Sequence, residues 1–417
     1  MRILILSQYY EPEPLPKPSD LAQALAERGH VVSVVTGFPN YPSGRLYPGY
    51  RLRLVRKEEI AGIRIIRTLV FPYHGDSSLG RILNYVSFML SGLLGAFLSP
   101  PCDLIYVWHP PLTIGLTAWV IGLLKRTPFV YDVQDIWPES LTAAGKVTNP
   151  LVIWAMHCME RFIYKRAEHL LVVTPEAKKN LVGKGVPAEK ISVAGLWVDE
   201  GRFLQESEKK AVDVRLRYGL GSRFVVMYAG NMGYLQGLET ILSCANALRK
   251  EERIVFVLIG DGVDRERLVS RVQELALPNV VFVDSQPTSA IPAFLSRADA
   301  LLVHLKHSEL SDLVVPGKTL AYLASGRPII MAMNGAAGEL IRQANAGVVI
   351  PPEDPQEMAK AVLYLSRLSS SERAMFGENG RSYLQAHLSK DKVMDHYEDI
   401  FKRACSYGIH SNETNLP

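Results

Sequence analysis

Short, almost wholly apolar runs recur along the chain, separated by stretches whose apolar residues return every three or four positions. MRILILSQ, VVSVVTG, IRIIRTLV, DLIYVW, PFVYDVQD and HLLVVT make up a first set. RFVVMYAG, RIVFVLIG, NVVFVDS, ALLVHL, RPIIMAM and GVVIP make up a second. Strands buried on both faces read as continuous apolar runs, and their alternation with helices predicts parallel, doubly wound sheets. Asp20 to Arg28 has helical spacing and ends at Gly29, a residue suited to a helix C-cap. The stretch from Ser370 to Tyr407 is predicted helical throughout. Between Val198 and Ser207 the texture turns polar, and then the strand–helix pattern restarts. The fold class is therefore α/β, with two Rossmann-like domains facing a cleft. The first spans residues 1–200 and the second 201–385, and a C-terminal helix and tail (386–417) crosses back to the first. In open α/β sheets ligands bind beyond the carboxyl ends of the strands, so site residues are sought just after each run.

Length and composition narrow the class. A chain of 417 residues suits two cores, and 48% hydrophobic residues exclude a disordered chain. A net charge of +4 gives no case for a nucleic-acid binder. Cys102, Cys158, Cys244 and Cys405 are scattered, with no CxxC, which argues against a disulfide framework or metal cluster and favours a reducing compartment. MRILIL is too short for a signal-peptide core and reads as a first strand. Ile82 to Cys102 carries no charge and is long enough to cross a bilayer. With the second uncharged run, Leu104 to Leu124, it is read first as buried elements of the domain. A helix lying on the membrane surface is the second reading. A span is disfavoured, because Asn84, Ser87, Ser91 and several glycines dilute the run. Arg45, Arg51, Arg53, Arg56, Lys57, Arg64 and Arg67 form a basic region before it.

The loops after the strands carry the candidate chemistry. RFVVMYAG, ending at Gly230, runs into Asn231-Met232-Gly233-Tyr234-Leu235-Gln236-Gly237 and then a helix. Glycines let the backbone approach a ligand, and a helix N-terminus favours an anion such as phosphate. Lys318 and Thr319, after Pro316-Gly317, sit at a predicted helix start; a cation there opposes the helix dipole, so a partner anion would rationalise it. Gly260-Asp261-Gly262 and Gly335 to Glu339 also follow strands and are placed at the same cleft. In the first half, Asp135 and Glu139 in DVQDIWPES suit a general base or sugar-hydroxyl binding, and His109 in WHPP follows a strand. No DxD, GxSxG or paired His/Cys spacing occurs, so a bound diphosphate is expected to be neutralised by dipoles and cations with no metal and no cofactor.

The stretches ALAERGHVVSVVTGFPNYPSGRLYPGY, DVQDIWPESL, YAGNMGYLQGLE, VPGKTLAYLASGRPII and GVVIPPEDPQEMAKAV span nearly the whole chain. By them the sequence resembles retaining glycosyltransferase family 4, of the two-Rossmann GT-B fold. Within it, the chain is similar to the N-acetyl-L-fucosaminyl transferases of bacterial O-antigen and capsule synthesis. The resemblance implies that the second half binds a nucleotide sugar, usually UDP-linked, through Gly230, Asn231, Gly233, Gln236, Gly260, Gly262, Gly317, Thr319 and Glu339. It implies that the first half binds a sugar on a polyprenyl diphosphate, with Lys17, His109 and Gln134 at the acceptor, and that Asp135, Lys318 and Glu139 carry the chemistry. The anomeric configuration is retained without metal, and the protein is cytoplasmic and peripheral at the inner face of the cytoplasmic membrane. The chain also departs from the family. Asn231 and Gln236 stand where many members have Arg and Lys, and Gln134 stands where a histidine is common. Ala321 and Leu313 stand at the two glutamates of the E-x7-E motif, and Glu13-Pro14-Leu15-Pro16-Lys17-Pro18 replaces a glycine-rich loop. Two rivals stay open: a nucleotide-sugar epimerase on the same architecture, and a non-catalytic nucleotide-sugar-binding homologue.

Overall fold

Branched and aromatic residues dominate the runs that pair as strands, and the pairing is parallel except at one edge. The computed structural model describes residues 1–75, 77–143, 145–198 and 214–413, with side chains to residue 406. It divides into two compact units. One comprises Met1–Val173, Ala177–Ala194 and Met394–Pro417; the other comprises Thr174–Glu176 and Gly195–Val393. The polar joint expected near residue 200 lies outside the described residues.

The first unit holds β1 (Arg2–Leu6), β2 (Val31–Gly37), β3 (Val55–Ile60), β4 (Ile63–Thr68), β5 (Leu104–Trp108), β6 (Phe129–Val133), β7 (His169–Val172) and β8 (Ile191–Val193). They form one sheet in the order β3-β4-β2-β1-β5-β6-β7-β8. The edge pair β3–β4 is an antiparallel hairpin turned by Ala61 and Gly62, both at positive φ. The charged strand VRKEEI escapes an apolar-run search because it lies at the sheet edge. Arg67, the last residue of the basic region, is fully buried and pairs with Glu58.

The first helix is longer than its spacing predicts, running Pro16–Glu27. Proline is tolerated in a first helical turn, where the missing N–H costs nothing, so Pro16 and Pro18 start this helix. Lys17 thus lies on a helix and not in a loop. The uncharged segment forms the helix Ser78–Phe97, and the reading of it as a buried element fails for its outer half: Leu79, Ile82, Leu83, Leu90 and Phe97 are exposed.

At the centre of this unit lies Asp132, with no exposed surface, at the end of β6. Lys17 Nζ is 3.1 Å from its carboxylate, and the Tyr106 and Tyr397 hydroxyls and the Gln134 amide donate to it. Tyr397 belongs to the last helix, Lys390–Glu413, so that helix is bound into the first unit as the sequence predicts for its C-terminal helix.

The second unit holds β9 (Phe224–Ala229), β10 (Ile254–Ile259), β11 (Val280–Val283), β12 (Ala300–His304), β13 (Ile329–Ala332) and β14 (Gly347–Ile350), ordered β11-β10-β9-β12-β13-β14 and all parallel. Alternate residues of β9 serve two cores. Val225, Met227 and Ala229 pack on one face, and Phe224, Val226 and Tyr228 on the other. Burial on both faces is what makes these strands continuous apolar runs.

Asp132→Asn removes the buried carboxylate that faces the Lys17 ammonium and accepts from the Tyr106, Tyr397 and Gln134 side chains. It should cost about 3 kcal/mol and lower the Tm of the first unit by roughly 10 °C. Tyr397→Phe, which removes one donor, should cost about 1 kcal/mol. Calorimetry of the two variants checks both; equal Tm values for Asp132→Asn and wild type would refute the anchoring role.

Candidate functional site

In the second unit the loop after β9 is built by two close backbone approaches. A Cβ on Gly260 would lie 2.0 Å from the Gly230 carbonyl oxygen, and one on Gly262 would lie 2.6 Å from both Asn231 Oδ1 and the Met232 carbonyl oxygen. Both glycines have positive φ, so they are required by these crossings. The loop then turns at Tyr234–Gln236 into the helix Glu239–Ala247. Gln236 Oε1 accepts from the Gly233 N–H (3.1 Å) and from Asn231 Nδ2 (3.4 Å), so the predicted residues Gly233, Asn231 and Gln236 hold one another. His304, at the end of β12, fixes the far side. The Glu353 N–H donates to its Nε2 (3.0 Å), which leaves Nδ1–H to donate to the Gln236 carbonyl (2.7 Å). Burial lowers the pKa of this ring, consistent with a neutral tautomer used as a loop clamp.

Lys318 is the first residue of the helix Lys318–Ser325. Its Nζ lies 3.7 Å from the centre of the Tyr228 ring, and a Cβ on Gly230 would come within 2.6 Å of it. Gly230 is therefore the residue that leaves room for the ammonium. Tyr322, one turn further along the helix, places it there: its hydroxyl accepts from the Ala229 N–H (2.8 Å) and donates to the Ala229 carbonyl (3.2 Å). Burial pushes the Lys318 amine down to about 7. Among the described residues no carboxylate pairs with it, and the positive end of its own helix opposes its charge. A cation held this way fits an anionic ligand. Thr319, beside it, is fully buried and its hydroxyl has no hydrogen-bond partner among the described residues, and Gly317 is exposed with open space around it. Glu339 is exposed and bonds along its own helix to Arg342 and Gln343, so the structure does not bring it to Lys318.

In the first unit the predicted residues separate. Lys17 and Gln134 are both engaged by Asp132, which corrects their reading as groups free to bind an acceptor. Glu13, in the same N-terminal segment, is buried and accepts the N–H groups of Tyr10 (3.1 Å), Asn40 (2.8 Å) and Tyr41 (2.8 Å). This segment thereby locks onto GFPNYP. Asp135 is exposed after β6. Glu139 sits 2.7 Å from Lys184 Nζ, which also holds the buried Glu160 at 2.6 Å. A carboxylate so paired is poorly placed to move a proton, a correction to its reading as a catalyst. Sequence spacing shows no metal constellation, yet Glu139, His157 and Glu160 do converge, with ligand atoms within 4.8 Å of one another. Lys184 already supplies the cation between the two carboxylates.

His109 is buried, with the Trp137 ring centre 5.3 Å away and the Tyr131 ring centre 5.7 Å away. Burial drives its imidazole down to about 3, so the ring is neutral. Neither ring nitrogen has a hydrogen-bond partner among the described residues, and the same holds for Trp108 Nε1 and the Tyr131 hydroxyl. Buried polar atoms are rarely left unpaired, so the adjacent orphans of His109 and Tyr131 mark a place where a polar ligand fits, while Trp108, in register with Asp132, lies on the other face of the sheet. Sequence reading finds His109 by its place after a strand. It misses Trp108 and Tyr131, which lie inside apolar runs, and His304 and Tyr322, whose partners are distant in sequence.

Comparison with known proteins fits both halves to one enzyme class. Residues 18–197 match the model for a "Glycosyl transferase 4-like domain", and residues 223–367 match "Glycosyl transferases group 1". The chain is 24% identical over 412 residues to the "Putative colanic acid biosynthesis glycosyl transferase WcaI" of Escherichia coli K12, covering 94% of this chain and 98% of the relative. It is 26% identical over 298 residues to the "Alpha-D-kanosaminyltransferase" of Streptomyces kanamyceticus, covering 69% of this chain and 74% of the relative. Among solved structures, Anabaena HepE in complex with UDP superposes with a TM-score of 0.70 at 15% identity, covering 97% of this chain and all of the other. That likeness shows the two-domain GT-B fold.

A lysine with a pKa near 7 is protonated and inert to arylation below that pH and reactive above it. Lys318 should therefore be trinitrophenylated with a midpoint about pH 7, three units below ordinary lysines. Peptide mass spectrometry across a pH series reads this directly; a midpoint near 10 would refute the desolvated environment.

Proposed function

We propose that the chain is a glycosyltransferase that moves a sugar from a UDP-linked donor to a polyprenyl-diphosphate-linked saccharide in bacterial surface polysaccharide synthesis. In this reading the anomeric configuration is retained, no metal takes part, and the transferred sugar is of the N-acetyl-L-fucosamine class. The single observation that carries the reading is Lys318, half-buried and without a carboxylate partner among the described residues, beside Gly230 and the Asn231–Gly233–Gln236 loop. A nucleotide diphosphate supplies the missing negative charge there. As the bond to the sugar breaks, charge builds on the leaving diphosphate, and a pre-placed ammonium and loop N–H groups stabilise it more than they stabilise the bound donor. Asp135 orients the acceptor hydroxyl, and the leaving phosphate takes its proton. The UDP complex of HepE and the role named for WcaI support the donor and the pathway class.

One observation favours a second reading. Ala321, at the position of the ribose-binding glutamate implied by the resemblance, packs partly buried against the second unit's core. A homologue that binds a nucleotide sugar without turning it over would tolerate this loss. Turnover across a panel of polyprenyl-diphosphate sugars separates the two.

Lys318→Met should lower both UDP affinity and turnover by roughly a hundredfold, the loss of a charge-assisted hydrogen bond of about 2–3 kcal/mol, and leave the Tm unchanged or higher. Calorimetric titration and a transfer assay read the two quantities; unchanged turnover would refute the assignment. His109→Leu removes two unpaired buried nitrogens, so its Tm should hold or rise by the equivalent of about 1 kcal/mol while transfer to the acceptor falls at least tenfold. A lower Tm with normal transfer would make His109 structural.

A further inference from the structure

The helix Ser78–Phe97 is amphipathic in the wrong sense for water. Its inner stripe is small or polar: Gly80, Asn84, Ser91, Gly92, Gly95 and Ala96 are the buried positions, with Phe88 the one large exception. Its outer stripe, at helical spacing, is Leu79, Ile82/Leu83, Leu90 and Phe97, from 45% to 67% exposed. Only 39% of its most apolar stretch is buried. A helix packed on a soluble domain normally shows the reverse arrangement.

The inner stripe is fastened along its length. Asn84 accepts from Gln8 and donates to the Phe71 carbonyl, Ser91 bonds Thr68, and a Cβ on Gly95 would meet Thr68 at 2.5 Å. A helix bonded to a sheet in this way does not leave it to cross a bilayer. The apolar surface continues onto two neighbouring helices. Thr117, on the helix Ile114–Lys125, donates to the Met89 carbonyl (2.9 Å), and the Trp119 ring meets Phe162 of the helix Pro150–Arg166 at 4.8 Å. Leu123 and Leu124 on the second helix, and Leu151 and Trp154 on the third, are 63% to 75% exposed. Together they make a layer of three helices with leucine, phenylalanine and tryptophan on its outer face, a patch type that marks an interaction surface.

Charge selects the occupant. The three helices contain one carboxylate, Glu160, and it is buried against Lys184. Arg126, Lys165 and Arg166 are exposed at or beside the helix ends, and Arg161 is exposed on the third helix. Apolar side chains flanked by exposed cations, with no exposed carboxylate on these helices, match the interface of an anionic bilayer, and a tryptophan at the patch edge suits its headgroup layer. We infer that the outer face of these three helices is a monotopic membrane-docking surface that seats the first unit on anionic lipid. The inference goes beyond the proposed reaction, because it stands on the surface alone.

The test is flotation of the full chain with vesicles of phosphatidylcholine, alone or mixed equally with phosphatidylglycerol. Wild type should float with the mixed vesicles, and the triple variant Leu83→Gln/Leu90→Gln/Phe97→Ser should partition at least tenfold less. The double variant Arg161→Glu/Arg166→Glu should lose its preference for the anionic mixture. All the substituted side chains are exposed, and an unchanged Tm and UDP response confirm that fold and donor site survive. Wild type remaining unbound with both vesicle types, or a triple variant that floats as well as wild type, overturns the assignment. So does a wild-type dimer in sedimentation velocity that the triple variant abolishes, since the face would then belong to a second copy. Because flotation reads partition and not transfer, a protein that floats but transfers no sugar would sink the proposed reaction and leave this inference standing.

Discussion

The Asp132 carboxylate organises the first unit. A fully buried carboxylate is costly unless its charge is matched and its oxygens are hydrogen-bonded. Here the matching groups come from four places along the chain: Lys17 from the first helix, Tyr106 from β5, Gln134 from the loop after β6 and Tyr397 from the last helix. Burial also drives the Tyr106 and Tyr397 phenols well above their ordinary range, so both stay protonated and act as donors. One residue therefore sets where the first helix sits and where the chain's last helix returns. The same demand uses up Lys17 and Gln134. In a list of residues both look available to a ligand, but in the fold they satisfy Asp132.

The second unit treats its key cation in the opposite way. Lys17 and Lys318 are both withdrawn from water, yet only Lys17 is given a carboxylate. Lys318 has an aromatic face, a helix N-terminus of the wrong polarity and a glycine shaped to admit it. None of these repays the loss of hydration in full, which is why its amine falls to about 7. A charge left in deficit at the carboxyl end of a parallel sheet marks a ligand site more specifically than the glycines around it. Gly260 and Gly262 are explained by backbone crossings alone.

How much of this was legible in the sequence follows from what each element is built on. All six strands of the second sheet could be read, because burial on both faces leaves an unbroken apolar run. β3 could not, since an edge strand in an antiparallel hairpin keeps its charges. The start of the first helix was hidden by prolines that signal a loop in most contexts. Candidate loops were found by their place after strands, which is a local property. The partners of Asp132, Tyr322 and His304 were not, because each bond joins residues far apart in sequence. Ile82 to Cys102 was ambiguous for a related reason. Composition states how apolar a helix is but not which stripe faces the sheet, and here glycine, serine and asparagine face inward.

The departure at Ala321 ties the donor site together. On a helix, residues three apart share a face, so a glutamate at position 321 would stand beside Lys318 as an ion-pair partner. The resemblance places a glutamate there; this chain has alanine, packed against the core. Without that carboxylate nothing on the helix offsets the ammonium, and its desolvation shows in full. The substitution thus removes a contact expected for ribose and, by the same change, leaves Lys318 with more to gain from a bound diphosphate. Asn231 and Gln236 fit this arrangement. Where basic side chains in that loop would repel Lys318, two amides bond to each other and hold the loop without adding charge. Under the proposed reading, the positive charge that basic loop residues would share rests here on one side chain, and donor binding turns on Lys318.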